Sequence, residues 1–285
     1  MKRECSCFIQ RTNHMSTARH LIIGMEETFA LALSTALRNA CGSESVWTTD
    51  EATEVAGLVK RHGITDLYLL SAMFPPTGVE HPAMTWHRST RQLLTVLDIA
   101  RKSGTKVFWP SSISVFGPSA PAEACPDGAP QEAMSFFAIA KRAGEQWCEH
   151  YRYDHTVDVR CLRFPVLIRP TPAGEKPEPT PAPILPQARP VLPLDEAVRA
   201  TIELMAAPAG AIRRAGIYNL AGVSTSVLEL VTEIELHHPG AGIGIWNLPD
   251  HPGPVSLDDS AARNDWGWRP RYDMLQLVKS LLQYS

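Results

Sequence analysis

The sequence predicts an α/β fold: a doubly wound, mainly parallel sheet with helices on both faces and a small C-terminal lobe. Three observations predict it. Short apolar runs alternate with longer amphipathic ones, the signature of strand–helix–strand units around a parallel sheet. The first apolar run ends in Gly24 and passes directly into a helical pattern. The length of 285 residues, with 44% hydrophobic and 20% charged, suits one large α/β domain or a core plus a small lobe. That apolar content excludes wholesale disorder, and the size excludes a small disulfide scaffold. The formal net charge of −3, from 27 basic and 30 acidic residues, leaves no overall field toward nucleic acid or an anionic membrane.

Residues 1–14 read as an extension with no assigned role, and 15–165 as the core. Strands are expected at 20–24, 46–49, 66–71, 106–109, 157–163 and 216–220, with helices between them. In the helix over 88–103, Leu93, Leu94, Leu97 and Ala100 share one face, and Gly104 supplies the stop. In the helix over 138–151, Ile139, Ala143, Trp147 and Tyr151 recur every four residues. Each of these faces is expected to pack on the sheet or to meet a partner subunit.

Ten of the 29 residues 165–193 are proline. So many missing N–H donors argue against a regular helix or a central strand, and 166–193 reads as an extended surface excursion. A helix over 195–207 and a lobe over 223–285 complete the chain, with 194–285 supplying the rest of the core and that lobe.

The six cysteines, Cys5, Cys7, Cys41, Cys125, Cys148 and Cys161, form no CxxC pair and have no histidine at ligand spacing, so no metal is expected. His81, His87, His237 and His238 form no HExxH-like array and read as surface or capping residues. No apolar run reaches the roughly 18 residues that span a bilayer, and MKRECSCFIQRTNH lacks a secretory apolar stretch. The expectation is a cytoplasmic protein with no membrane and no nucleic-acid partner.

The turn after the first strand is where a dinucleotide fold cradles its phosphates. Here it reads Gly24, Met25, Glu26, Glu27, Thr28, Phe29, Ala30. Gly24 keeps the first glycine, and Ala30 permits close packing of helix on strand. Glu27 stands where a backbone should approach a pyrophosphate. A carboxylate about 5 Å from a phosphate opposes it by roughly 3 kcal/mol, more than a hundredfold in affinity. Glu26 and Glu27 equally suit the positive end of a helix dipole. Asp50, 26 residues after Gly24 at the end of the second strand, is a candidate ligand for a ribose hydroxyl.

The runs ITDLYLLSA, KVFWPSSISVFGP, FAIAKRAGEQWCEHY, DVRCLRFP and SLDDSAARNDWGW resemble the extended short-chain dehydrogenase/reductases, the NAD-dependent epimerase/dehydratase family, and within it the L-threonine 3-dehydrogenase branch. The similarity covers most of 20–268 outside the proline-rich segment. It implies a Rossmann-like fold, NAD, a small-molecule substrate and a homodimer built on two helices per subunit. It also implies a site made of a serine or threonine, a tyrosine, and a lysine four residues later. The serine falls on Ser112, beside Ser111, and the lysine on Lys141. The tyrosine falls on Phe137, which has no proton to exchange, and acid–base catalysis of this kind is worth about 10²–10⁴ in rate. Further departures are Leu69–Ala72 in place of HLAA, Ser89 in place of an asparagine, and Arg163, Phe164, Pro165, Val166 in place of RYPG.

Three readings follow. The first is an enzyme repurposed for non-redox chemistry on a small amino-acid-like or carbonyl substrate, with NAD binding weak or lost. The second is an active NAD-dependent oxidoreductase or epimerase in which a water or remote group replaces the tyrosine. The third is a non-catalytic interaction protein.

Overall fold

The computed structural model describes residues 18–24, 28–71, 82–171, 188–213, 215–226, 228, 230, 232, 242–246, 253–274 and 276–277. Six parallel strands form the main sheet: β1 (His20–Ile23), β2 (Val46–Thr49), β3 (Asp66–Leu69), β4 (Lys106–Ser112), β5 (Val159–Phe164) and β8 (Ile217–Asn219). Their order is β2-β1-β3-β4-β5-β8. The order reverses between β1 and β3, which makes that crevice the switch point where open α/β sheets bind ligands.

Helices cover both faces because the strands alternate. Leu21 and Ile23 face one apolar cluster and Ile22 the other. The first cluster takes in α2 (Val55–His62), α3 (Pro82–Ser103) and α4 (Phe136–His155); the second takes in α1 (Thr28–Cys41) and α5 (Leu194–Ala206). Ser135 caps α4 by accepting from the Ala138 N–H at 3.2 Å, and Thr156 ends it in the left-handed region at φ 55°. Leu93, Leu97 and Ala100 of α3 are buried against the sheet, which settles one of the two uses expected for that face.

Proline content misleads at both ends of the 166–193 segment. β6 (Val166–Thr171) and β7 (Ala188–Pro193) are the central strands of a second sheet, ordered β10-β6-β7-β9, with β9 at Val223–Ser226 and β10 at Gly242–Trp246. The expectation that no central strand forms there is corrected, and the register gives the reason. Pro170 pairs only with β10, Pro190 only with β9 and Pro193 only with β6, so each proline sits where one flank of its strand is unpaired. Residues 172–187 lie outside the described residues.

The amino edge of the main sheet is held by buried cations. Arg160, fully buried in β5, donates to the carbonyls of Leu204 at 2.6 Å and Ala207 at 2.7 Å at the end of α5 and pairs with Asp158 at 2.7 Å. Lys106 reaches the Met205 carbonyl at 2.9 Å. Both positive groups meet the negative end of the α5 dipole. Arg160→Met should cost about 3 kcal/mol or more, because it strips the Leu204 and Ala207 carbonyls and the Asp158 carboxylate of a buried partner at once. Urea unfolding reads this as a lower midpoint.

Candidate functional site

The carboxyl edge of the main sheet gathers the candidate residues. Gly24 follows β1 with φ 93°, and its N–H donates to the Thr49 carbonyl at 2.9 Å. A Cβ there would lie 2.5 Å from the backbone nitrogen of Ser71, so only glycine permits the approach of the β1 and β3 ends. Ala30 is fully buried in the first turn of α1, as the close packing of helix on strand requires. Asp50 is exposed beyond the end of β2, next to Thr49. Gly24 and Asp50 thus follow the neighbouring strands β1 and β2 at the same edge of the sheet. Glu26 and Glu27, which the sequence reads as opposing a phosphate, lie outside the described residues.

Ser112, Phe137 and Lys141 come from the end of β4 and the first turns of α4. Ser112 is fully buried; its Oγ accepts the Ser114 N–H at 3.0 Å and so caps the 3-10 turn Ile113–Val115. Lys141 is 3% exposed, and its Nζ donates to the Pro110 carbonyl at 2.8 Å. The ammonium lies 4.7 Å from the centre of the Trp109 ring and 5.3 Å from that of Phe137. Gly144, one turn on, lets Trp109 lie against the helix, since a Cβ there would come within 2.5 Å of the indole.

Beneath these residues runs a network that sequence reasoning missed. Glu145 accepts from Ser111 at 2.5 Å, from Gln131 at 2.6 Å, and from Arg163 at 2.7 and 2.8 Å. Arg163 also donates to the Asp127 carbonyl at 2.7 Å and to Asn219 at 3.3 Å, and lies 5.0 Å from the Phe116 ring centre. Burial alone would weaken the Arg163 guanidinium as a base; the carboxylate of Glu145 against it reverses this and raises its pKa. The available signal was Glu145 four residues after Lys141, on the same face of α4, together with two arginines inside the otherwise apolar β5.

Among the described residues the tyrosines and buried cysteines are engaged elsewhere. The hydroxyls of Tyr68, Tyr218 and Tyr272 are bonded to His20, Asp265 and Asp195, and Tyr151 and Tyr153 lie in the last two turns of α4. Burial pushes the Cys125 thiol up to about 11 and also raises that of Cys161 well above its ordinary range. Among the described residues no cluster of His, Cys, Asp or Glu could hold a metal, and no helix is long and apolar enough to cross a membrane. His87 is exposed on α3; His81, His237 and His238 lie outside the described residues.

The sequence profile of the NAD dependent epimerase/dehydratase family matches residues 34–192. The chain belongs to that family, the extended short-chain dehydrogenase/reductases. The mitochondrial L-threonine 3-dehydrogenase of Bos taurus is 29% identical over 248 residues, 80% of this chain, which spans 66% of that enzyme's length. The GalE-like L-threonine dehydrogenase of Cupriavidus necator in its holo form superposes with a TM-score of 0.78 at 33% identity, covering 93% of this chain and 99% of that one. A monomeric L-threonine 3-dehydrogenase from a metagenome gives 0.77 at 26% identity, with 93% and 97% covered. The switch-point geometry is thus that of a family fold, while the residues at the tyrosine and lysine positions are arranged as described above.

Glu145→Ala should destabilise by about 3–5 kcal/mol, because it leaves Arg163 buried without its carboxylate. The double change Glu145→Met with Arg163→Met should recover at least half of that loss. Chemical denaturation of the three variants measures both.

Proposed function

We propose that this chain has given up tyrosine–lysine hydride transfer and carries out non-redox chemistry on a small amino-acid-like or carbonyl compound at the carboxyl edge of its sheet. The observation that carries the reading is the Phe137 ring over a Lys141 ammonium that is bonded to the Pro110 carbonyl. A phenyl ring neither supplies nor removes a substrate proton, and a buried lysine committed to a carbonyl does not orient one. The likeness to threonine dehydrogenases supports the amino-acid-like ligand class. Four free cysteines among the described residues support a reducing, cytoplasmic setting.

A second reading, a non-catalytic interaction protein, draws support from a different observation. The polar groups of the carboxyl edge satisfy one another: Ser111 and Gln131 bond Glu145, Arg163 bonds Glu145 and Asn219, and Ser112 caps its own turn. Turnover of any carbonyl or amino-acid-like compound separates the two, since only the first reading yields product.

Two defects of different kind motivate the test for cofactor. Glu27 opposes a pyrophosphate and Phe137 removes the proton relay. Calorimetry should find no micromolar NAD dissociation constant, and Phe137→Tyr alone should yield no threonine-dependent NAD reduction. A variant that also carries Glu27→Gly should gain dinucleotide affinity. Micromolar affinity in the unmodified protein would overturn the reading in favour of an oxidoreductase.

A homodimer is part of the same proposal. Trp86, Thr90 and Leu94 of α3 line an outward groove of about 360 Å³, and on α4 Ile139 is 50% and Trp147 39% exposed. Covering such a face is favourable by about 25 cal/mol per Å² of apolar surface. Light scattering should give twice the chain mass at micromolar concentration, and Trp147→Glu should halve it.

A further inference from the structure

The amino edge of the main sheet holds a cluster that the carboxyl-edge chemistry does not use. His20 of β1, Asp66 and Tyr68 of β3 and Lys106 of β4 meet there. With Leu37 of α1 and Met205 of α5 they line a pocket of about 10 Å³. His20 is 3% exposed and Asp66 1%. The Nδ1 of His20 lies 3.3 Å from the Tyr68 hydroxyl and 3.6 Å from the Asp66 carboxylate. Its other ring nitrogen, Nε2, is buried without a hydrogen-bond partner. On its far side Asp66 pairs with Lys106 at 2.7 Å, and Lys106 also holds the Met205 carbonyl at 2.9 Å.

A buried polar nitrogen left dry is costly, and a space of about 10–15 Å³ with polar walls admits one water. We propose that this pocket binds a single water on His20 Nε2 and forms an acid-labile latch: a proton on His20 competes with Lys106 for Asp66 and loosens the grip of Lys106 on the end of α5. The groups that act on the imidazole are Asp66 and Tyr68 from β3 and Lys106 from β4, while Cys41 from α1 and Arg160 from β5 act on Tyr68 behind it. α5 offers Ile202, Met205 and backbone carbonyls, and β2 places Val46 opposite His20. Burial lowers the proton affinity of His20, Asp66 opposes this, and Lys106 reinforces it. A histidine whose folded pKa lies below its ordinary 6.5 contributes stability that is complete above about pH 6.5 and lost as pH falls through the folded value.

The test is urea unfolding of the full chain and of His20→Gln, which keeps an amide near the Nε2 position and does not titrate, from about pH 7.5 to 5. The folding constant of the unmodified protein should fall more steeply, by up to about tenfold per pH unit over the window where His20 titrates. Parallel curves overturn the latch. The ring resonances of His20 in the unmodified protein give a second readout that survives a misfolding variant: a titration midpoint below 6.5 is expected, and one at or above it overturns the latch. A crystal structure should show a water within hydrogen-bond distance of Nε2, and a dry pocket there, or Nε2 on a protein acceptor, overturns the binding site.

Discussion

The buried pair of Glu145 and Arg163 is the constraint on which the carboxyl edge depends. It joins α4 to β5 with two hydrogen bonds at 2.7 and 2.8 Å, and both partners are at most 4% exposed. A pair so deep adds little stability over well-packed apolar residues, because desolvation consumes most of the attraction. Its effect is geometric: neither member can stay buried without the other, and each has lone pairs or protons left to satisfy. Glu145 therefore takes in Ser111 and Gln131, and Arg163 takes in the Asp127 carbonyl and Asn219. Asn219 in turn accepts a fixed position from Asp127, whose carboxylate receives its N–H at 2.7 Å. Two helical turns, three strands and the loop over 117–132 are thereby held in one register.

The opposite edge solves a different problem by similar means. A helix that ends above the start of a parallel sheet leaves carbonyls without intrahelical partners. Arg160 and Lys106, from the first residues of neighbouring strands, meet those of α5, and the anions Asp158 and Asp66 neutralise the two cations. Charge is concentrated at the strand ends, and between them the sheet packs through aliphatic and aromatic side chains. The two edges therefore respond to different perturbations, the carboxyl edge to loss of a partner and the amino edge to protonation.

The sheet was legible in the sequence wherever a strand is a short apolar or β-branched run between helices, as in 20–23, 46–49 and 106–109. Gly24 and Ser112 could be placed at one edge because parallel strands share a direction. The second sheet was not legible, because its strands carry prolines whose tolerance depends on which flank is paired, and pairing to residues 223–226 and 242–246 is a long-range property. The Glu145–Arg163 network was missed for the same reason. Its members are 18 residues apart in sequence, and Asn219 is 56 further on, so no local pattern reveals that they converge. Of the face on α3 that the sequence left open to the sheet or a partner, Leu93, Leu97 and Ala100 turn to the sheet, and Leu94 alone of the four stays partly open.

Ser112 and Lys141 each carry a structural duty that is independent of any catalytic one. Ser112 caps the turn that leads out of β4, and Lys141 ties α4 to the Pro110 carbonyl. Either duty suffices to keep the residue, since loss of a cap or of a buried charge-assisted hydrogen bond costs about 1–3 kcal/mol. The position held by Phe137 has no such second duty for a hydroxyl. A phenyl face attracts the Lys141 ammonium much as a phenol face would, so exchanging one ring for the other leaves the contact with the cation in place. The fold therefore constrains Ser112 and Lys141 through these contacts. On the reading proposed above, 137 is the position of the three whose identity reports on chemistry, and there this chain carries a ring without an exchangeable proton.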